Sequence, residues 1–177
     1  MSVSLKADGV VLRALEPEDI DFLYRLENDE KIWELSNTMA PYSKFILNQY
    51  LENAHRDIYD VKQLRLVICL EAVQEHPIGF IDLFDFDPKN QRVGVGIIIY
   101  DDKDRNKGNA RIALNLIIQY AFNRLELHQI FANITEDNTR SMLLFEKAGF
   151  NKAGIKKDWV RFETGFKDEH MYQLIRK

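Results

Sequence analysis

An apolar run, Val93-Gly94-Val95-Gly96-Ile97-Ile98-Ile99-Tyr100, gives way to a short basic loop, Arg105-Asn106-Lys107-Gly108-Asn109-Ala110, and an amphipathic segment follows to about residue 124. A strand, a glycine-containing loop and a helix start, in that order, leave the chain few architectures. The first amides of a helix lack intrahelical partners, and the helix dipole places partial positive charge there. Arg105 and Lys107 add two full charges at the same place. The stretch predicts a bound phosphate or pyrophosphate. Its spacing is neither Gly-x-Gly-x-x-Gly nor Gly-x-x-x-x-Gly-Lys-Ser/Thr, so the dinucleotide and P-loop readings fail. For the loop taken alone, a plain surface turn is the alternative.

A second element about thirty residues on argues against the turn. His128-Gln129-Ile130-Phe131-Ala132-Asn133-Ile134-Thr135 reads as a strand, and Asn138-Thr139-Arg140-Ser141 as a capped helix start. The helix ends in Lys147-Ala148-Gly149-Phe150. Asn is a good N-cap, and Gly149 stands where a helix C′ glycine belongs. Upstream, residues 10–14 read as a strand, 17–28 as a helix and 29–43 as irregular. Residues 43–58 read as a second helix, and 63–73, 78–84 and 92–100 as strands. Residues 153–162 and 170–176 alternate like antiparallel strands joined by a turn over 164–168. Early strands followed by strand-helix-strand-helix predict an α/β chain with a central mixed sheet and helices on both faces.

At 177 residues, residues 1–177 read as a single domain. Such a chain buries roughly 70% of its unfolded surface without staples. A net charge of −4 argues against a nucleic-acid binder, which needs a basic face. The lone cysteine, Cys69, sits in Leu66-Val67-Ile68-Cys69-Leu70 and cannot form an internal disulfide. It reads as a buried structural thiol rather than a nucleophile, and a reducing cytoplasm fits. No signal peptide, no apolar run long enough for a membrane span, and no metal site are read from the sequence.

Arg105-x-x-Gly108-x-Ala110 resembles the phosphate-loop signature of the GNAT acetyltransferases. Asn138-x-x-Ser141 with Lys147-x-Gly149-Phe150 is similar to that family's second cofactor segment. Val11-Leu12-Arg13-Ala14-Leu15-Glu16-Pro17-Glu18-Asp19 resembles the opening of the branch that acetylates ribosomal proteins and spermidine. The resemblance covers nearly the whole chain. It implies a GNAT-like twisted mixed sheet, acetyl-CoA as donor and a primary amine as acceptor, with direct transfer in a ternary complex. It assigns the backbone of Ile98, Ile99 and Tyr100 to the pantetheine arm. It assigns the pyrophosphate to Arg105, Asn106, Lys107, Gly108, Asn109, Ala110 and Arg111. Asn106 replaces a frequent second glycine and tolerates left-handed backbone. Asn138 would bond the pantetheine arm or serve only as a cap. Family members often pair through the sheet or C-terminal strands, so a homodimer is among the expected states.

An ammonium with pKa near 10.4 loses its proton before attack, which at pH 7 costs roughly 4–5 kcal/mol. A base, or a water chain to a carboxylate, is therefore expected. Asp82 and Asp85 are the candidates, expected on one strand face beside the reaction centre. The alternative for each is a solvated strand face. Glu27, Asp29, Glu30 and Glu34 are candidates for an acidic mouth. Where relatives carry a tyrosine acid for the departing thiolate, this chain has Phe145, and Ser141 is the substitute candidate. A thiolate needs only about 2 kcal/mol of help at pH 7. The pair Pro41-Tyr42 lacks the acidic flanks of spermidine-acetylating relatives. Trp33, Met39 and Tyr42 then suit a small, partly apolar amine or a peptide N-terminus, with Glu30 as a further substrate-binding candidate. A polyamine acceptor is the alternative enzyme reading, and a catalytically silent acyl-CoA-binding protein the alternative of another class.

Overall fold

The computed structural model describes residues 3–36, 38–73 and 76–177. Two short strands, β1 (Lys6–Ala7) and β2 (Val10–Arg13), form a hairpin unread in the sequence. Asp8 (φ 47) and Gly9 (φ 78) make its turn, the left-handed pair that suits a tight two-residue connection. A 3-10 turn at Pro17–Asp19 starts α1 (Ile20–Glu27), and Arg13 grips Asp19 through both carboxylate oxygens at 2.7 and 2.8 Å.

The segment read as irregular contains a helix, α2 (Glu30–Ser36). Ile32 supplies its buried face, too little periodicity for the sequence to announce. Next comes α3 (Lys44–Glu52), which Ser43 caps by accepting from Ile46 N–H at 3.2 Å. It stops at the Asn53 cap, short of the expected residue 58, because Asp57 caps a separate turn, α4 (Ile58–Val61).

Strands β3 (Leu64–Leu70), β4 (His76–Asp87) and β5 (Arg92–Ile99) follow, then α5 (Asn109–Asn123), β6 (Gln129–Thr135), α6 (Thr139–Lys147), β7 (Asn151–Phe162) and β8 (Gly165–Ile175). Among the described residues the strands join one sheet in the order β1-β2-β3-β4-β5-β6-β8-β7. Every pairing is antiparallel except β5 with β6. The mixed sheet is as expected.

Alternation along the strands divides the apolar residues between two cores. Val11, Val67, Cys69 and Phe80 pack under α1, α2 and α3. Leu12, Ile68, Ile81 and Leu83 face the other way, toward α5 and α6. Cys69 is fully buried, as a structural thiol would be. Gly79 allows β4 and β5 to meet, since a Cβ there would lie 2.0 Å from Ile98 O.

Candidate active site

The site begins where two strands part. β5 pairs with β6 only from Arg92 to Gly94, opposite Gln129 to Phe131. Beyond Gly94, β5 stays with β4 while β6 turns toward β8. Tyr100 N–H donates to Ile78 O at 2.9 Å, which fixes the phase of β5. Ile98 and Gly96 therefore bond to β4, and Val95, Ile97 and Ile99 turn their backbone groups to the open edge. This amends the expectation for the pantetheine contact. Of Ile98, Ile99 and Tyr100, only Ile99 faces the gap by backbone, and Ile97, which alternation along the strand identifies, joins it.

The loop after β5 is set by a guanidinium. Arg105 Nε donates to Ile99 O at 2.9 Å, one terminal nitrogen to Tyr100 O at 2.9 Å, and the other to Asp102 at 2.7 Å. Its charge is thus committed to holding the loop against the strand end rather than presented freely to an anion. Asn106 takes φ 59 and Gly108 φ 85, so the asparagine does adopt left-handed backbone. Gly108 is the N-cap of α5, and the first helical bond runs from Ile112 N–H to Gly108 O at 3.1 Å. Buried Asn109 pins the loop from within by donating to Asp104 O at 3.1 Å. Among the described residues, the amides of 106–111 meet no protein acceptor.

A groove of about 740 Å³ runs from this helix start along the open edge of β5 to α6. Its cations are Lys31, Arg105, Arg111, Arg140 and Lys147. Lys107, expected to add charge, is exposed and does not line it. Lys31 and Arg140, from α2 and α6, were not among the expected site residues, and Lys147 was expected only as part of the second cofactor segment; the capped start of α6 was the available signal for Arg140. At the groove's inner end lie Ile97, Ile98, Asn138 and Ser141. Asn138 Oδ1 accepts from Ser141 N–H at 3.1 Å, so the oxygen caps α6 while the amide nitrogen is left for other partners.

The same four residues line a second cavity, of about 220 Å³, on the other side of the gap. Its charged residues are Glu27, Glu34, Asp82, Glu169 and Arg65. Arg65 lies directly opposite Asp82 in the β3–β4 register and binds both its oxygens, at 2.7 and 3.0 Å, while a third contact goes to Glu27. Burial works against the guanidinium's charge, but Asp82, with Tyr50 and Glu27, more than offsets it and holds the Arg65 pKa above its usual value. Burial also raises the Tyr50 pKa, whose ring lies 5.9 Å from Arg65. Arg65 was the missed residue here; its signal was a lone charge within the otherwise apolar β3.

The remaining expectations separate sharply. Asp82 and Ser141 line the acidic cavity, and so does Phe145, which is buried edge-on against Phe150 rather than facing the groove. Asp85 does not join them. It sits in the bulge of β4 with φ 50, exposed, because three residues of separation and a register break cannot keep it on the Asp82 face. Glu30, Trp33 and Tyr42 line neither cavity. Trp33 Nε1 is spent on Glu27 O at 2.9 Å, and Tyr42 is held by backbone to Asn28 at 2.7 Å, facing solvent. Of the acidic mouth, Glu27 and Glu34 reach the acidic cavity and Asp29 the groove. Among the described residues no helix is long and apolar enough to cross a membrane.

Comparison with known proteins places this geometry. The acetyltransferase (GNAT) domain family matches residues 10–151. Spermidine N(1)-acetyltransferase of Vibrio cholerae is 31% identical over 145 residues, covering 82% of this chain and 80% of that protein. A crystal structure of spermidine N-acetyltransferase from Vibrio cholerae in complex with CoA and spermine superposes with a TM-score of 0.83 at 24% identity, over 94% of this chain and 95% of that one. A dodecameric structure of the Vibrio cholerae enzyme in an intermediate state gives 0.76 at 26% identity, over 94% of each.

Proposed function

The chain belongs to the GNAT acetyltransferase family, and we propose that its acceptor is a small amine carrying more than one ammonium, acetylated directly in a ternary complex. As a family member it is an N-acetyltransferase with acetyl-CoA as donor and an amine as acceptor. The observation that carries the reading is the meeting of two unlike cavities. An amide-lined groove that carries five cations and four aspartates, and a cavity that carries four carboxylates and one guanidinium, share Ile32, Leu35, Ile97, Ile98, Asn138 and Ser141. We read residues 1–177 as one domain, supported by the single sheet that every strand joins.

The groove fits the donor. The amides of Asn106, Lys107, Gly108, Asn109, Ala110 and Arg111 would hold a pyrophosphate, with Arg111, Arg140 and Lys147 around it. The backbone of Ile97 and Ile99 would run beside the pantetheine arm, with the Asn138 amide nitrogen at its end. Acetyl-CoA supplies the acetyl thioester.

The protein's own part is charge and orientation. Four carboxylates and one guanidinium line the acceptor cavity, a surplus of negative charge suited to an ammonium guest. Asp82, held through both oxygens by Arg65, keeps its geometry while its unused lone pairs face the guest. Its role is to seat the ammonium and pass its proton to solvent through water. Ser141 stands at the junction with its hydroxyl available to the departing thiolate, where Phe145 offers no proton.

The test is amine-dependent thiol release from acetyl-CoA against monoamines, diamines, polyamines and short peptides, with thermal stability followed in parallel. A donor that binds only the folded chain raises stability by about 2.7 kcal/mol at a hundredfold excess over its Kd. Release that is fastest with polycationic amines is the expected result. Release with peptides alone would sink the acceptor reading.

A further inference from the structure

Lys156 of β7 seats its ammonium in a small cage. Nζ donates to Glu169 Oε2 at 2.8 Å and to Asn133 Oδ1 at 3.2 Å, and it lies 5.0 Å from the centre of the Trp159 ring. A carboxylate, an amide oxygen and an aromatic face together are what an ammonium ion needs: opposite charge, a neutral acceptor and a ring quadrupole. Glu169 is only 14% exposed. Both Glu169 and Asn133 also line the acidic cavity. The strand order sets them across the gap from Asp82, on β6 and β8 rather than β4.

We propose that this cage is a second ammonium subsite, occupied in the free protein by the chain's own Lys156 and yielded to the second ammonium of a diamine or polyamine. The inference rests on the acidic cavity being the acceptor site. Exchanging one ammonium for another keeps the Glu169 carboxylate paired throughout, so the displacement leaves no buried charge alone. Lys156 acts as a tethered competitor. It lowers the apparent affinity of the second ammonium by the fraction of time the cage is closed. It thereby sets how strongly the enzyme distinguishes an acceptor with two ammonium groups from an acceptor with one.

The experiment measures KM for straight-chain monoamines and diamines of increasing length at saturating acetyl-CoA. Lys156→Met removes the competitor and is expected to lower the diamine KM about tenfold, leaving the monoamine KM within about twofold. Lys156→Arg keeps the charge and grips Glu169 through a fork, so it moves the diamine KM upward. Glu169→Gln is expected to raise the diamine KM about tenfold and to flatten its dependence on chain length. An unchanged ratio of diamine to monoamine KM in Lys156→Met or in Lys156→Arg overturns the subsite. Thiol release that no monoamine, diamine or polyamine accelerates would instead overturn the acceptor reading beneath it.

Discussion

The donor groove and the acceptor cavity share a wall but are built by opposite means. The groove draws its backbone groups from one continuous stretch, the end of β5, the loop and the first turn of α5, with side chains of α2 and α6 added around them. The cavity draws side chains from α1, α2, β3, β4, β6, α6, β7 and β8, and its character comes from charge. A site made of backbone depends on dihedral angles and caps, which are local. A site made of charge depends on register, which is not. The two should therefore fail separately when altered.

The largest separation is expected at Asp82. Asp82→Asn should lower kcat/KM for the amine about 10²-fold while the Kd of acetyl-CoA, by calorimetry, stays within about twofold. A matching loss of donor affinity would show that the cavities are not separable. A melting curve controls for Arg65, which keeps Glu27 as a partner in the variant.

Gly108 tests the converse. Its φ of 85 has open space around it, so Gly108→Ala meets strain rather than a clash. That strain is about 1–2 kcal/mol. Donor affinity should weaken about tenfold, with amine KM at saturating donor unmoved. Ser141 belongs to both sites, and Ser141→Ala should lower kcat about tenfold with little change in either binding constant, read by steady-state kinetics.

The smallest effect is on stability in acid. Lys157 at 2.5 Å and the Asp158 N–H at 3.0 Å hold the Asp168 carboxyl below its ordinary value of 3.8. Lys167 does the same for Asp137. A carboxyl depressed in the folded state contributes stability that is complete above the unfolded value and is lost as pH falls through the folded one. Denaturant midpoints should decline below about pH 4, and Asp168→Asn should make that decline shallower. Because both pairs bind the β7–β8 arm, loss of amide protection in acid is expected there before α5.

This division also explains what the sequence disclosed. Gly108, Asn138 and the left-handed Asn106 could be read because each is demanded by a local turn or cap. The order of the elements, early strands and then strand-helix-strand-helix, announced a mixed sheet with helices on both faces. Arg65 showed only as a lone charge in β3, because its meaning lies in the residue opposite, seventeen positions away. The cage of Lys156, Asn133 and Glu169 was silent for the same reason. Asp85 misled because a bulge changes which face a residue occupies, and nothing in Leu83-Phe84-Asp85-Phe86 marks it. Helix α2 was hidden by a single buried contact, and Trp33 looked like a binding residue until its indole was found on Glu27.

The phase of β5 has a consequence for how such a protein can change. Alternate residues serve β4, and the others serve the open edge. Replacing Ile97 or Ile99 by another side chain leaves that division untouched, so the donor contact tolerates drift in composition. Adding or removing one residue between Gly94 and Ile99 swaps the two sets at a stroke, turning toward β4 the groups that faced the ligand. This strand should accept many substitutions in a variant library and almost no single-residue insertions or deletions.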